Sequence, residues 1–201
     1  MSEHEQLFVT ILRIGFCVLV PVGMYHRIKS KTDEKLDRSQ EGIFILIALR
    51  LVGLAGIGGL IVYLMSPSSM AWASMLLPDW LRWVGVGIGV CGGVLLTWTL
   101  HSLGKNLTDT VVTRRDHTLV THGPYRWVRH PFYVSAFLAI VANCLVAANW
   151  FFLVAGILFF TLISLRTQKE EQFLRARFGQ QYESYFLATG RFVPRLGKSR
   201  E

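Results

Sequence analysis

Apolar and polar positions in this chain fall into long blocks rather than a short-period alternation. Residues 7–28 are apolar except for Arg13 and, at the end of the block, His26 and Arg27, residues 43–65 except for Arg50, and residues 81–100 except for Arg82. Each block is about 20 residues, the length at which a helix crosses a hydrocarbon core of roughly 30 Å. Residues 132–165 carry no charge, a stretch too long for one crossing, and the interruption at residues 143–149 divides it into two spans joined by a tight hairpin. The pattern predicts an all-α, multi-pass transmembrane helical bundle of about five spans, the last two forming a helical hairpin.

Charge supplies an orientation. Arg27, Lys29, Lys31, Lys35 and Arg38 lie between the first two spans, Lys105, Arg114, Arg115, Arg126 and Arg129 before the fourth, and the tail from Arg166 onward is basic. Residues 1–6, residues 66–79 and the hairpin near Asn143 contain neither Lys nor Arg. Because cytosolic loops retain Lys and Arg, this places the N-terminus outside and the C-terminus in the cytosol, which requires an odd number of spans. The first apolar block opens on acidic residues and no small-residue cleavage pattern follows it, so it reads as a span rather than a signal peptide.

Composition narrows the class. Apolar residues make up 52% of the chain and the formal net charge is +8. The basic residues follow topology and flank the spans, which points to an anionic membrane leaflet rather than nucleic acid. Cys17, Cys91 and Cys144 sit in apolar segments without CxxC spacing, so they read as small core residues and not as a metal cluster or disulfide frame. Gly85, Gly89 and Gly93, with Gly92 beside them, give the third span a face bare enough for close helix approach, and Gly53, Gly56 and Gly59 are a weaker version in the second. Arg13 and Arg50 either snorkel, pair structurally or line a site.

The chain is one integral membrane domain in two halves. Residues 1–100 hold the first three spans, and residues 101–201 hold a long cytosolic segment, the helical hairpin and a tail. Segment 101–131 exceeds an ordinary turn, as functional loops often do. It carries a Gly123-Pro124 turn signal and the aromatics Tyr125 and Trp127. Pro131 suits the first turn of the fourth span, with His130 at its mouth. Beyond the last span, Phe173, Leu174 and Phe178 share a helical face, Gly179 reads as a C-cap, and Tyr182, Tyr185 and Phe186 mark a second short amphipathic helix ending near Gly190.

The run His117-Thr118-Leu119-Val120, then Gly123-Pro124-Tyr125, Arg129-His130-Pro131-Phe132-Tyr133, and later Glu170-Glu171 with Phe178-Gly179 and Tyr182, resembles the isoprenylcysteine carboxyl methyltransferase and phospholipid methyltransferase superfamily. The resemblance covers roughly residues 103–194 and does not extend to the first three spans, which match only as apolar segments. It implies an S-adenosylmethionine-dependent membrane methyltransferase whose cofactor site is built from the cytosolic segment and the tail, without a Rossmann fold. The GxGxxG match at residues 87–92 lies inside the third apolar span rather than between a strand and a helix, so it is not a dinucleotide-binding turn, in keeping with that. By resemblance, His117, Thr118, Leu119 and Val120 line the cofactor, Tyr125 is an aromatic wall, and His130, Pro131, Phe132 and Tyr133 close the mouth of the fourth span. Glu170 resembles the carboxylate that holds the cofactor's amino group, and Arg166 the residue that faces the methyl acceptor. The segment 106–116, with Thr110 and the Arg114-Arg115 pair, departs from the family pattern.

Elementary chemistry fits these roles. An adenine ring is accommodated by flat apolar walls with a few polar anchors, and an ammonium by a carboxylate. Arg166 and Glu170 are four residues apart and share a helix face; taken alone they also read as a surface pair, and Glu171 as a solvated neighbour without chemistry. An ionised carboxylate acceptor, such as that of a prenylated cysteine, needs no general base and is positioned bidentately by Arg166. A phospholipid amine would need a base, for which only His130 or Glu171 offers itself. The expected partners are therefore the membrane and a lipid or lipidated substrate. A nicotinamide-dependent membrane reductase and a non-catalytic scaffold or transporter are the competing classes; both leave the co-occurring motifs unexplained.

Overall fold

The computed structural model describes residues 2–30, 43–106 and 118–195. Lys31, Lys35 and Arg38 of the first basic segment, and Thr110, Val111, Val112, Arg114 and Arg115 of the second, lie outside the described residues. The described chain is helical: α1 (Glu3–Lys29), α2 (Ile43–Met65), α3 (Asp79–Leu103), α4 (Pro131–Ala147), α5 (Trp150–Phe178) and α6 (Gln180–Ala188). Among the described residues there is no strand, only two isolated bridges, Ser74 with Asn149 and Val128 with Gly190. Four helices, α1, α2, α3 and α5, are long and apolar enough to cross a membrane. The fourth predicted span, α4, is apolar but has 17 residues, about 26 Å of helix.

Local chemistry sets the helix ends. Ser2 and Glu5 form a reciprocal capping box at the start of α1, whose last turn carries His26, Arg27 and Lys29 against the negative end of the helix dipole. Pro131 opens α4 at a position where its missing N–H costs nothing. The hairpin between α4 and α5 is narrower than the sequence suggested. Asn143 lies inside α4, and the turn is confined to Ala148 and Asn149, because an internal asparagine does not break a helix packed on both sides. Ala148 takes the left-handed conformation, φ 47°, which an L-residue adopts only when its surroundings hold it there. Here Met75 donates to its carbonyl at 2.7 Å, while the Asn149 side chain accepts from Phe151 N and donates to Met70 O.

The glycine face of α3 carries the packing. A Cβ added at Gly85 would stand 2.7 Å from Leu145 Cβ, and one at Gly92 3.0 Å from Leu138 Cβ, so α3 and α4 approach almost backbone to backbone. Gly93 turns instead toward Leu19 of α1, and in α2 it is Gly59 that lies under a side chain, Phe151 of α5. The cysteine reading requires correction: Cys144 is buried, whereas Cys17 and Cys91 are exposed on the bundle surface, because small apolar residues are tolerated wherever a helix faces hydrocarbon.

Arg13 pairs structurally. Its Nε and Nη2 donate to Leu64 O near the end of α2, at 2.9 and 2.6 Å. Arg82 does the same for Val146 O near the end of α4, at 3.0 and 2.8 Å, with its guanidinium 4.0 Å from the Phe8 ring centre. Arg50 is exposed.

Gly85→Val should cost about 1–3 kcal/mol through overpacking. Gly87→Ala, with no atom within 4 Å of the added carbon, should be neutral or stabilise by up to about 1 kcal/mol. Thermal melts in detergent compare the two, and equal melting temperatures would mean that close α3–α4 approach is not what the glycines provide.

Candidate active site

The residues with chemistry gather where α4 begins and where α5 runs on past its apolar part, which ends at Leu165. Two backbone segments of the site meet side by side. Residues 127–130 lead into α4, and residues 189–191 leave α6; Arg129 N donates to Gly190 O at 2.8 Å, His130 N to Arg191 O at 3.1 Å, and Gly190 N to Trp127 O at 3.2 Å. The tail is thereby held across the mouth of α4. α6 is tied to the loop through Tyr185, whose hydroxyl donates to Tyr125 O at 2.8 Å.

Glu171 lies at the centre. Its side chain is 4% exposed, and its oxygens accept from Arg129 Nε at 2.9 Å, His130 Nε2 at 3.3 Å, Arg191 Nε at 3.2 Å and Arg191 Nη2 at 2.5 Å. Burial by itself would raise this carboxyl, but the bonds from His130, Arg191 and Arg129 outweigh it and hold the group down at about 2. Arg129 is fully engaged as well: its Nη1 donates to the Phe186 and Thr189 carbonyls, and its guanidinium sits 4.1 Å from the Phe186 ring centre.

Glu170, one residue earlier, faces elsewhere. Its side chain is 28% exposed; Oε2 accepts from the Tyr133 hydroxyl at 3.1 Å and lies 4.0 Å from His130 Nδ1. The His130 ring therefore stands between the two carboxylates, stacked on Tyr133 with centroids 5.5 Å apart and flanked by Phe192. Burial, then the Glu170 charge, then Tyr185 push the Tyr125 hydroxyl above its ordinary range; burial does the same for Tyr185 and, with Glu171, for Tyr182. These phenols stay protonated at neutral pH.

The structure thus brings together His130, Tyr133 and Glu170, with Tyr125 and Arg166 close enough to act on that cluster electrostatically. Pro131 is buried beneath it, and Phe132, 39% exposed, touches the Tyr133 ring edge-on. Thr118 is exposed and tied to the end of α3, where Asn106 donates to its hydroxyl and accepts from its N–H; Leu119 is half-buried and Val120 buried. His117 lies outside the described residues. Arg129, Arg191 and Phe192 were not anticipated as site residues, and Glu171, considered only as a base for an amine acceptor, is buried and not the solvated neighbour expected. Helical phase contained the signal: Gly156, Ile163, Thr167 and Glu171 form the buried stripe of α5.

Residues 85–176 match the model of the isoprenylcysteine carboxyl methyltransferase family. The chain is 34% identical over 122 residues to a protein-S-isoprenylcysteine O-methyltransferase of Tribolium castaneum, covering 57% of this chain and 42% of that protein. It is 32% identical over 117 residues to one of Dictyostelium discoideum, covering 57% and 49%. The chain spans about half the length of these relatives. Among solved structures it is similar to the eukaryotic intramembrane Ras methyltransferase, isoprenylcysteine carboxyl methyltransferase, with a TM-score of 0.50 and 26% identity over 76% of this chain and 53% of that one. The resemblance carried by the motifs is therefore to this family.

Glu171→Gln should destabilise the protein, by up to about 3–5 kcal/mol, because Arg129 is left buried against a neutral partner. The folded carboxyl lies below its ordinary 4.5, so its stabilisation is complete above that value and is lost as pH falls through about 2. Melts at descending pH should show the gap between wild type and variant closing only in strong acid; a gap that already closes near the ordinary carboxylate range would mean that the charge cluster does not hold Glu171 ionised.

Proposed function

We propose, from the similarity of residues 85–176 to the isoprenylcysteine carboxyl methyltransferase family, that this chain is an integral membrane methyltransferase. It uses S-adenosylmethionine to methylate a lipid or lipid-modified acceptor, in the first place the carboxylate of a prenylated cysteine or a similar lipophilic acid. The carrying observation is the division of labour between two adjacent carboxylates. Glu171 is buried and bonded by arginines and histidine, whereas Glu170 is partly exposed and accepts from the Tyr133 hydroxyl at 3.1 Å; a carboxylate has several acceptor sites, so a ligand ammonium can share it.

The residues fit the donor's chemistry. Glu170 matches its ammonium, and Tyr125 and Tyr133 supply flat walls for an adenine, with Phe132 and Val120 as neighbouring apolar surface. His130 and Pro131 shape the mouth of α4, and Thr118 and Leu119 extend the site along the loop. When bound, S-adenosylmethionine supplies an activated methyl group, so the protein has only to align the acceptor and exclude water. Arg166, one turn before Glu170, positions the acceptor carboxylate. An amine acceptor would require a base, and Glu171, held at about 2 by its partners, is a poor one. The relatives favour neither a nicotinamide reductase nor a scaffold.

In this reading the chain is one domain, with residues 1–100 supporting a catalytic half at residues 101–201, and α4 counts as a fifth crossing. The N-terminus lies outside, and the site lies at the cytosolic surface, where the Lys and Arg residues accumulate.

Glu170→Gln should weaken S-adenosylmethionine binding by about 1.5–3 kcal/mol, the range for a hydrogen bond to a charged group, with the fold retained. Arg166→Ala should keep cofactor binding but lose most of kcat/KM for a prenylcysteine acceptor, and Arg166→Lys should restore little, since an ammonium lacks the bidentate fork. Calorimetry and methyl-transfer assays on the same preparations separate these effects; unchanged affinity in a folded Glu170→Gln protein, or normal turnover in Arg166→Ala, would remove the assigned role.

Orientation has its own test. Cysteines at Ser68 and Ser184, both exposed, should be labelled from opposite sides of sealed right-side-out vesicles by an impermeant thiol reagent. Labelling of both from outside would overturn the proposed topology.

A further inference from the structure

One buried carboxylate meets two arginines at Glu171, one more cation than neutrality requires. Arg129 is buried with it, at 7% side-chain exposure, and already forms a pair with good geometry at 2.9 Å. Arg191 comes from the tail and is 35% exposed, so as a charge partner alone it would add little. Its geometry differs, however. Arg129 and His130 touch only Oε1, whereas Arg191 takes both oxygens, Nε on Oε1 and Nη2 on Oε2. A two-point contact fixes the plane of a carboxylate, which one-point contacts leave free to rotate.

That plane has a consequence at the neighbouring group. An ionised carboxylate only accepts, so Nε2 of His130 carries the proton of the bond to Glu171. The ring's other nitrogen is then directed toward Glu170. Residues 170 and 171 are also separated by about 100° around the helix, so anchoring one carboxylate inward sets the direction of the other.

We infer that Arg191 is a positioning residue: by fixing the Glu171 carboxylate plane from the tail, it holds His130 between the two carboxylates and keeps Glu170 aimed at Tyr133 and at the ammonium of the bound methyl donor. This rests on the donor reading given above. It assigns the C-terminal tail a part in cofactor affinity, although Arg191 itself need not touch the ligand.

The test uses full-length protein in detergent, titrated by calorimetry with S-adenosylhomocysteine, for wild type, Arg191→Ala and Arg191→Lys. Arg191→Ala should raise Kd by roughly tenfold, the equivalent of one charge-assisted bond, at unchanged stoichiometry, since Arg129 still neutralises Glu171. Arg191→Lys should recover only part of this, because an ammonium cannot take both oxygens in one plane. Wild-type Kd in Arg191→Ala or Arg191→Lys overturns the inference. So does a reduced stoichiometry at unchanged Kd, which marks a purely structural latch. If Arg191→Ala does not fold, Arg191→Lys decides alone. Nitrogen-15 histidine spectra of the same proteins read the His130 bond without any ligand: its Nε2 proton should exchange slowly in wild type and faster in the variants. Slow exchange in all three overturns the inference even if wild type binds no S-adenosylhomocysteine, an outcome that would by itself sink the donor reading instead.

Discussion

The structure depends on one buried acid. Glu171 is the point at which three separate pieces of chain meet: the polar extension of α5, the segment leading into α4, and the tail beyond α6. Each of these contacts is weakened by loss of the charge, because an arginine as buried as Arg129 needs an anion within reach. The backbone pairing between residues 127–130 and 189–191 is short and, like any isolated bridge, weak on its own. The side-chain cluster is what makes it persist.

The opposite end of the bundle solves a different problem with the same residue type. Within hydrocarbon every backbone polar group must find a partner inside the protein, and the last carbonyls of a helix have none within it. Arg13 and Arg82 each fork onto one such carbonyl, Leu64 O and Val146 O, where the negative end of the helix dipole also favours a cation. Tyr63 adds a third bond of this kind, to Ala147 O at 3.1 Å. These contacts pin α1 to α2, α3 to α4 and α2 to α4 at the end away from the site, and they explain why Arg13 and Arg82, charges inside apolar segments, are structural.

What was legible in the sequence follows from which forces act locally. Apolar length gave α2 to the residue and α1 and α3 within a turn or so, because the pattern that drives helices into a membrane is written in consecutive residues; the polar end of α5 was marked by Gly179 instead. Gly123, Pro131 and Gly179 marked real turns and ends, since their backbone constraints are intrinsic. The hairpin turn was drawn too wide because Asn143 and Asn149 look alike in composition, and only packing against Met70 and Met75 distinguishes the one that turns the chain. The partners of Glu171 were invisible for the same reason: Arg129 and Arg191 are 42 and 20 residues away in sequence, and nothing local says that they converge.

Adjacent acidic residues are usually read as interchangeable, yet helix geometry forbids it here. With about 100° between them, Glu170 and Glu171 cannot both enter the interior, and the buried stripe through Ile163 and Thr167 assigns the inward place to Glu171. Saturation follows from burial, because an ionised group is tolerated there only with its lone pairs filled. Glu170 is left at the boundary, ordered by Tyr133 and partly exposed. A carboxylate in that position combines the two properties a ligand contact needs, a fixed direction and unspent acceptor capacity. The proposed binding group is therefore a by-product of the structural one: the fold buries an acid to join the tail to the bundle, and the next residue along the helix inherits a rigid, partly desolvated place at the surface.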